Sequence, residues 1–168
     1  TIINAKLIIK MISNYYKKYN SNTHGEFKSS KETDEIMDSM REKISQFLGA
    51  KNKGCISIGQ NMTTLSFSLA RALSNKFQKG DEVIITELDH EANRGPWETL
   101  KNYGIKLVEV ALMNDGTLDY DDFRKKINKK TVLIAMGMSS NALGTVNDFN
   151  MIRKISSKYN SLLLLDAV

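Results

Sequence analysis

Four short segments of this 168-residue chain carry side chains able to do chemistry. In Gly59-Gln60-Asn61-Met62-Thr63-Thr64 a glycine turn leads to Met62 and two hydroxyls, Thr63 and Thr64. At a helix start, free backbone N–H groups and those hydroxyls suit a phosphate. The same threonines also serve as plain helix caps. The segment lacks the lysine of a Walker loop and the full G-x-G-x-x-G spacing, so it is no standard nucleotide fingerprint. The second segment, Leu88-Asp89-His90-Glu91-Ala92-Asn93, holds one of two histidines in the chain. His90 is a candidate acid/base group or a flat ring to stack on a planar ligand, and equally a surface residue capping a helix. A metal is disfavoured there. Asp89 and Glu91 point away from His90 in most backbone conformations, and no second histidine is near in sequence.

The third segment runs from Ser139 to Asp148, and its Asn141 offers a neutral amide donor to a ligand oxygen. Asn and Gly are also ordinary turn formers, so a simple loop is the competing reading. In the fourth, the apolar run Leu162-Leu163-Leu164-Leu165 ends on Asp166. Burying an unpaired charge costs several kcal/mol, so this carboxylate calls for a partner. A protonated ring nitrogen is one, and the pairing keeps that nitrogen protonated.

Elements must exist that bring these segments together. Apolar residues at helical spacing predict a helix over 5–19, and a second one opened by the Ser29/Glu32 capping box and closed before Gly49, with Ile36, Met37, Met40, Ile44, Phe47 and Leu48 as its stripe. Beyond it the period changes. Strands are predicted over 55–58, 82–86, 106–110, 131–136 and 162–165, the last as a buried strand. Between them lie helices over 63–73, 96–103 (opened by Pro96), 120–127 (capped by Asp119) and 149–159. Strands alternating with helices imply βαβ units, hence an α/β fold with a mostly parallel sheet flanked by helices. In such sheets ligands bind beyond the carboxyl ends of the strands, where all four segments fall.

Composition narrows the field. With 41% hydrophobic and 26% charged residues, the chain can bury a core as one domain. No apolar run approaches the ~18 residues of a membrane span. The net charge of +5 is spread over the surface without basic stretches interleaved with aromatics, so a nucleic-acid partner is not expected. The single Cys55 allows neither an internal disulfide nor a zinc spacing, and a cytoplasmic setting is the simplest reading. It falls at the start of a predicted strand. The Thr1-Ile2-Ile3-Asn4 start has neither an initiator Met nor a secretory pattern and suggests a processed or truncated piece.

In their order along the chain the segments resemble the class V aminotransferase superfamily of pyridoxal-phosphate enzymes, of fold type I. The resemblance rests on Asn61-Met62-Thr63-Thr64, Asp89-His90-Glu91-Ala92-Asn93 with Pro96-Trp97, Ser140-Asn141-Ala142-Leu143-Gly144-Thr145-Val146-Asn147 and Asp166-Ala167-Val168. It is nearest the cysteine desulfurase-like group, to which His24-Gly25-Glu26-Phe27 and Ser29-Ser30 are also similar. The resemblance implies pyridoxal 5'-phosphate held at its phosphate by Met62, Thr63 and Thr64, with His90 stacked on the ring as the catalytic group, Asn141 at the 3-oxygen and Asp166 at the ring nitrogen. It implies a small amino-acid substrate, with cleavage of the C–S bond of cysteine or a related compound, and a homodimer. Residues 1–168 then form part of the large cofactor-binding domain. The Schiff-base lysine of the family lies downstream of the aspartate motif, so this stretch alone is expected to be inactive, and Cys55 matches a core position of the family pattern rather than a sulfur acceptor. Alternatives are a selenocysteine lyase or transaminase of the same superfamily, or a phosphate- or nucleotide-binding α/β domain without the cofactor.

Overall fold

A computed structural model describes residues 5–168. Thr1–Asn4, on which the expectation of a truncated start rests, lie outside the described residues. The chain divides after Ile58 into two compact units. The first contains α1 (Ala5–Lys18) and α2 (Lys28–Leu48). Helix α2 ends as predicted at Gly49, whose φ of 64° lets the amides of Gly49 and Ala50 reach the carbonyls of Gln46 and Ser45. Its start differs from the expected capping box. Phe27 is the N-cap and makes no side-chain bond, while Ser29 lies inside the first turn, its carbonyl accepting from Thr33 Oγ1. Ser30 organises the entry instead, accepting from the Gly25 amide and donating to the Asn22 carbonyl, both at 2.6 Å.

The expected apolar stripe of α2 is not buried. Ile36, Phe47 and Leu48 are exposed, and the helix buries Ser30, Thr33 and Ser45. Periodicity reports that a helix has an apolar side, but not that a partner covers it. The predicted strand over 55–58 is also absent. Asn52 starts a 3-10 turn over Lys53–Cys55, and among the described residues those after it pair with no neighbouring strand. Extended backbone becomes a strand only where another strand completes its hydrogen bonds. Cys55 is accordingly an exposed turn residue, not a core one.

The second unit is the α/β body. It runs α3 (Met62–Ser74), β1 (Glu82–Thr86), α4 (Glu91–Glu98), β2 (Lys106–Val110), α5 (Tyr120–Lys126), β3 (Thr131–Gly137), α6 (Phe149–Ser156) and β4 (Leu162–Asp166). The four strands form one fully parallel sheet in the order β2-β1-β3-β4. Alternate residues of β1 and β3 feed two cores. Val83, Ile85, Leu133 and Ala135 pack with Ala70, Trp97 and Leu100 from the α3 and α4 side. Ile84, Ile134 and Met136 pack with Phe123 and Ile152 from α5 and α6. The sheet is thus covered on both faces, which explains why its central strands are apolar throughout.

Strand β4 was predicted to be buried, but it is an edge strand in the described structure, with Leu162 exposed and its other leucines half-buried. The buried strands are the central pair, β1 and β3. Helix α4 begins five residues before Pro96, because His90 caps it, and Pro96 sits inside. Its ring removes the N–H that would bond the Ala92 carbonyl, and the helix runs only two residues further before continuing as a 3-10 turn to Tyr103, closed by Gly104 at φ 78°.

Candidate active site

The chain leaves β1 toward β2 on one side, while β3 pairs on the other. The loops following β1 and β3 therefore part from each other and leave a crevice at their carboxyl ends, where open parallel sheets bind ligands. A cavity of about 370 Å³ occupies this place, wholly within the second unit. Met62, Thr63, His90, Asn141 and Asp166 all line it. Thr64 does not, and its amide is taken by the Asn61 side chain at 2.8 Å.

Each wall is built by local chemistry. At the start of α3, Asn61 accepts from Thr64 through its side chain and from Leu65 through its carbonyl. Among the described residues, the amides of Met62 and Thr63 and the Thr63 hydroxyl have no acceptor within the chain, so the positive end of a 13-residue helix faces the cavity with donors to spare. His90 caps α4 by accepting the Ala92 amide at Nδ1, 3.1 Å away. In the neutral ring this fixes the proton on Nε2. The capping and cavity-lining readings of His90 are therefore both realised.

Asn141 is carried by a tight loop after β3. Ser140 accepts the amides of Ala142 and Leu143 at its hydroxyl and donates its own amide to Thr145, and Gly144 turns the chain at φ 73°. Asp166 ends β4 in register with Gly137, where its carbonyl accepts from Met138 and its carboxylate accepts from the Val168 amide at 3.1 Å. It is half-buried, so the sequence argument for a fully buried charge at this position does not hold.

The buried carboxylate is Asp89, which sequence reasoning passed over. It is 9% exposed and also lines the cavity. Oδ2 accepts the Thr86 amide and hydroxyl, each at 2.8 Å, while Oδ1 accepts the Gly137 amide at 2.6 Å and Asn93 Nδ2 at 3.2 Å. Burial raises its pKa above the ordinary value, and the hydrogen bonds from Thr86, Gly137 and Asn93 oppose that rise. Asn147 was missed too. It is buried on the wall and donates to the Gly137 carbonyl at 2.8 Å. The available signal for Asp89 was the Thr86-x-x-Asp89 spacing at a strand end, which permits a side chain to close a turn on the backbone.

No Lys or Arg lines the cavity, so an anion there is met by helix amides and a hydroxyl rather than by a cation. Among the described residues no group of three or more His, Cys, Asp or Glu is placed to hold a metal, and no helix is long and apolar enough to cross a membrane. The arrangement offers anion donors at one end, a flat imidazole and an amide in the middle, and a carboxylate at the other end.

The sequence matches the family described as aminotransferase class-V over residues 3–168. It is 32% identical to a probable cysteine desulfurase of Halalkalibacterium halodurans, over 95% of this chain and 40% of that protein. It is 33% identical to a probable cysteine desulfurase of Borreliella burgdorferi, over 91% of this chain and 37% of that protein. The chain thus spans about 40% of the length of the curated relatives it matches. Among solved structures, the apo cysteine desulfurase of Thermococcus onnurineus NA1 superposes with a TM-score of 0.88 at 29% identity, covering 97% of this chain and 41% of that one.

Proposed function

The chain belongs to the class-V aminotransferase family, and on that premise we propose that it forms the cofactor-holding part of a pyridoxal-phosphate enzyme that cleaves the C–S bond of cysteine or a related amino acid. The observation that carries this reading is the meeting of α3's free amides, His90, Asn141 and Asp166 on one cavity. These residues fit the cofactor. Its dianionic phosphate matches donors that have no acceptor of their own, and its aromatic ring matches a cavity flanked by an imidazole and ended by a carboxylate.

When bound, pyridoxal phosphate supplies an electron sink for negative charge at the substrate α-carbon. The chain's own residues prepare for that. Met62 and Thr63 bind the phosphate with backbone amides, and Thr63 adds its hydroxyl. Thr64 contributes only through the helix it belongs to. His90 orients the ring by stacking and, with Nδ1 occupied by Ala92, carries its movable proton at Nε2. Asn141 donates its amide to the ring's 3-oxygen, and Asp166 accepts from the ring nitrogen and keeps it cationic. The full-length protein on this reading works on a free amino acid as a cytoplasmic homodimer.

The test is spectroscopic and chemical. Full-length protein incubated with pyridoxal phosphate should gain a visible absorption band that borohydride abolishes, and should release alanine from cysteine. A protein that stays colourless with the cofactor and instead binds a nucleotide overturns the reading in favour of a simple phosphate-binding α/β domain.

A further inference from the structure

Asp89 has no part in the chemistry just described, yet it is the most elaborately bonded side chain on the cavity wall. Two of its donors, the amides of Thr86 and Gly137, belong to the ends of the two strands that flank the crevice. A third, Asn93, lies in the first turn of α4 and accepts in turn from Trp97 Nε1 at 3.3 Å. Gly137 is held from its other side by Asn147. One carboxylate therefore ties the end of β1, the start of α4 and the end of β3, and the residue that follows it is His90. Four donated bonds use the lone pairs of both oxygens, which leaves Asp89 no acceptor for a ligand.

We infer that Asp89 is a positioning residue, which fixes His90 on its side of the crevice relative to the Gly137–Asn147 loop that carries Asn141. The inference rests on the proposed cofactor reading and adds a residue to it. The geometry explains why aspartate is needed. The Thr86 and Gly137 amides are rigid backbone donors aimed at different oxygens of the carboxylate. An asparagine has one acceptor oxygen, so its amide nitrogen must face one of the two N–H groups. Asp89→Asn thus severs either the turn that closes β1 or the link from β1 to β3, with almost no change of volume.

The experiment uses full-length protein loaded with pyridoxal phosphate. Its readouts are the visible circular dichroism of the bound cofactor and the division of the effect between kcat and KM. For Asp89→Asn the cofactor should still bind, because its phosphate donors are untouched, while the visible dichroism changes. The expected fall in kcat is roughly 10- to 100-fold, as small misplacements of reacting groups produce, with KM within ~3-fold. Ile152→Val, in the core on the opposite face of the sheet, serves as a comparator that lowers stability and leaves the dichroism unchanged. An Asp89→Asn protein that behaves like this comparator, with less stability but the same spectrum and kcat, overturns the inference. If Asp89→Asn does not fold, Thr86→Val decides. It removes one of the four donors and should shift spectrum and kcat in the same direction by less; no shift overturns the inference. Failure of the unsubstituted protein to take up the cofactor is a different result, which removes the parent reading itself.

Discussion

Asp89 and Asp166 share a cavity wall, and their surroundings divide them into different kinds of carboxylate. Asp89 has four donors and no capacity left, whereas Asp166 has one intrachain donor, the Val168 amide, and keeps acceptor positions for a ligand. At this scale Asp166→Ala in the full-length enzyme is expected to lower kcat by at least ~100-fold, the size of loss seen when a preorganised electrostatic partner is removed. A steady-state assay giving near-normal turnover would withdraw Asp166 from the ring-nitrogen role. His90, Asn141 and Asp166 were legible in the sequence because each is a reactive or amide side chain in a loop where an open sheet binds ligands. Asp89 and Asn147 were not, because both act through the backbone of Gly137, 48 and 10 positions away, and no local pattern marks that pairing.

The elements that place these side chains are short and depend on their caps. Helices α3, α4, α5 and α6 each begin with a side chain accepting from the first turn, namely Asn61, His90, Asp119 and Asp148. Helix α5 has seven residues, too few to persist without help, and Asp119 accepts the amides of Asp121 and Asp122, each at 2.9 Å. Asp119→Ala should therefore cost about 1 kcal/mol of stability, read as a lower urea midpoint with an unchanged slope. An unaltered midpoint would mean that Phe123's burial alone holds the helix. Caps of this kind are local, and Asp119 was readable in advance. The start of α4 was misjudged because Pro96 suggested a first-turn position, while the true cap is a histidine, a less usual choice.

For the molecule as a whole, the layered body rests on Trp97, which is completely buried against β1 and β3 and bonded to Asn93. Trp97→Ala should cost about 3–5 kcal/mol, measured by denaturant unfolding; a loss below ~1 kcal/mol would show that the layer closes without it. Asp122 and Asp89 are shifted in opposite directions and act on acid stability in opposite ways. Asp122 is held below its ordinary value of 3.8, first by the hydrogen bond from Lys126 and then by the Ala111 amide. Its stabilisation is full above the ordinary value and disappears as pH falls through the lowered one. Asp89, raised by burial, binds its proton more readily folded than unfolded, so its contribution declines as pH climbs from the ordinary value through the raised one. Asp122→Asn should therefore flatten the acid side of a plot of melting temperature against pH, and an undiminished acid slope would assign that slope to other groups. By itself the sequence determined the alternation of strands and helices, the parallel sheet covered on both faces, and the order of motifs that marks the family, because periodicity, caps and reactive residue types are local properties. Only the tertiary structure decided which run pairs into the sheet, that β1 and β3 rather than β4 are the buried strands, and that the buried charge is Asp89 rather than Asp166. Pairing, burial and hydrogen-bond partnership depend on neighbours distant in sequence, and no local pattern specifies them.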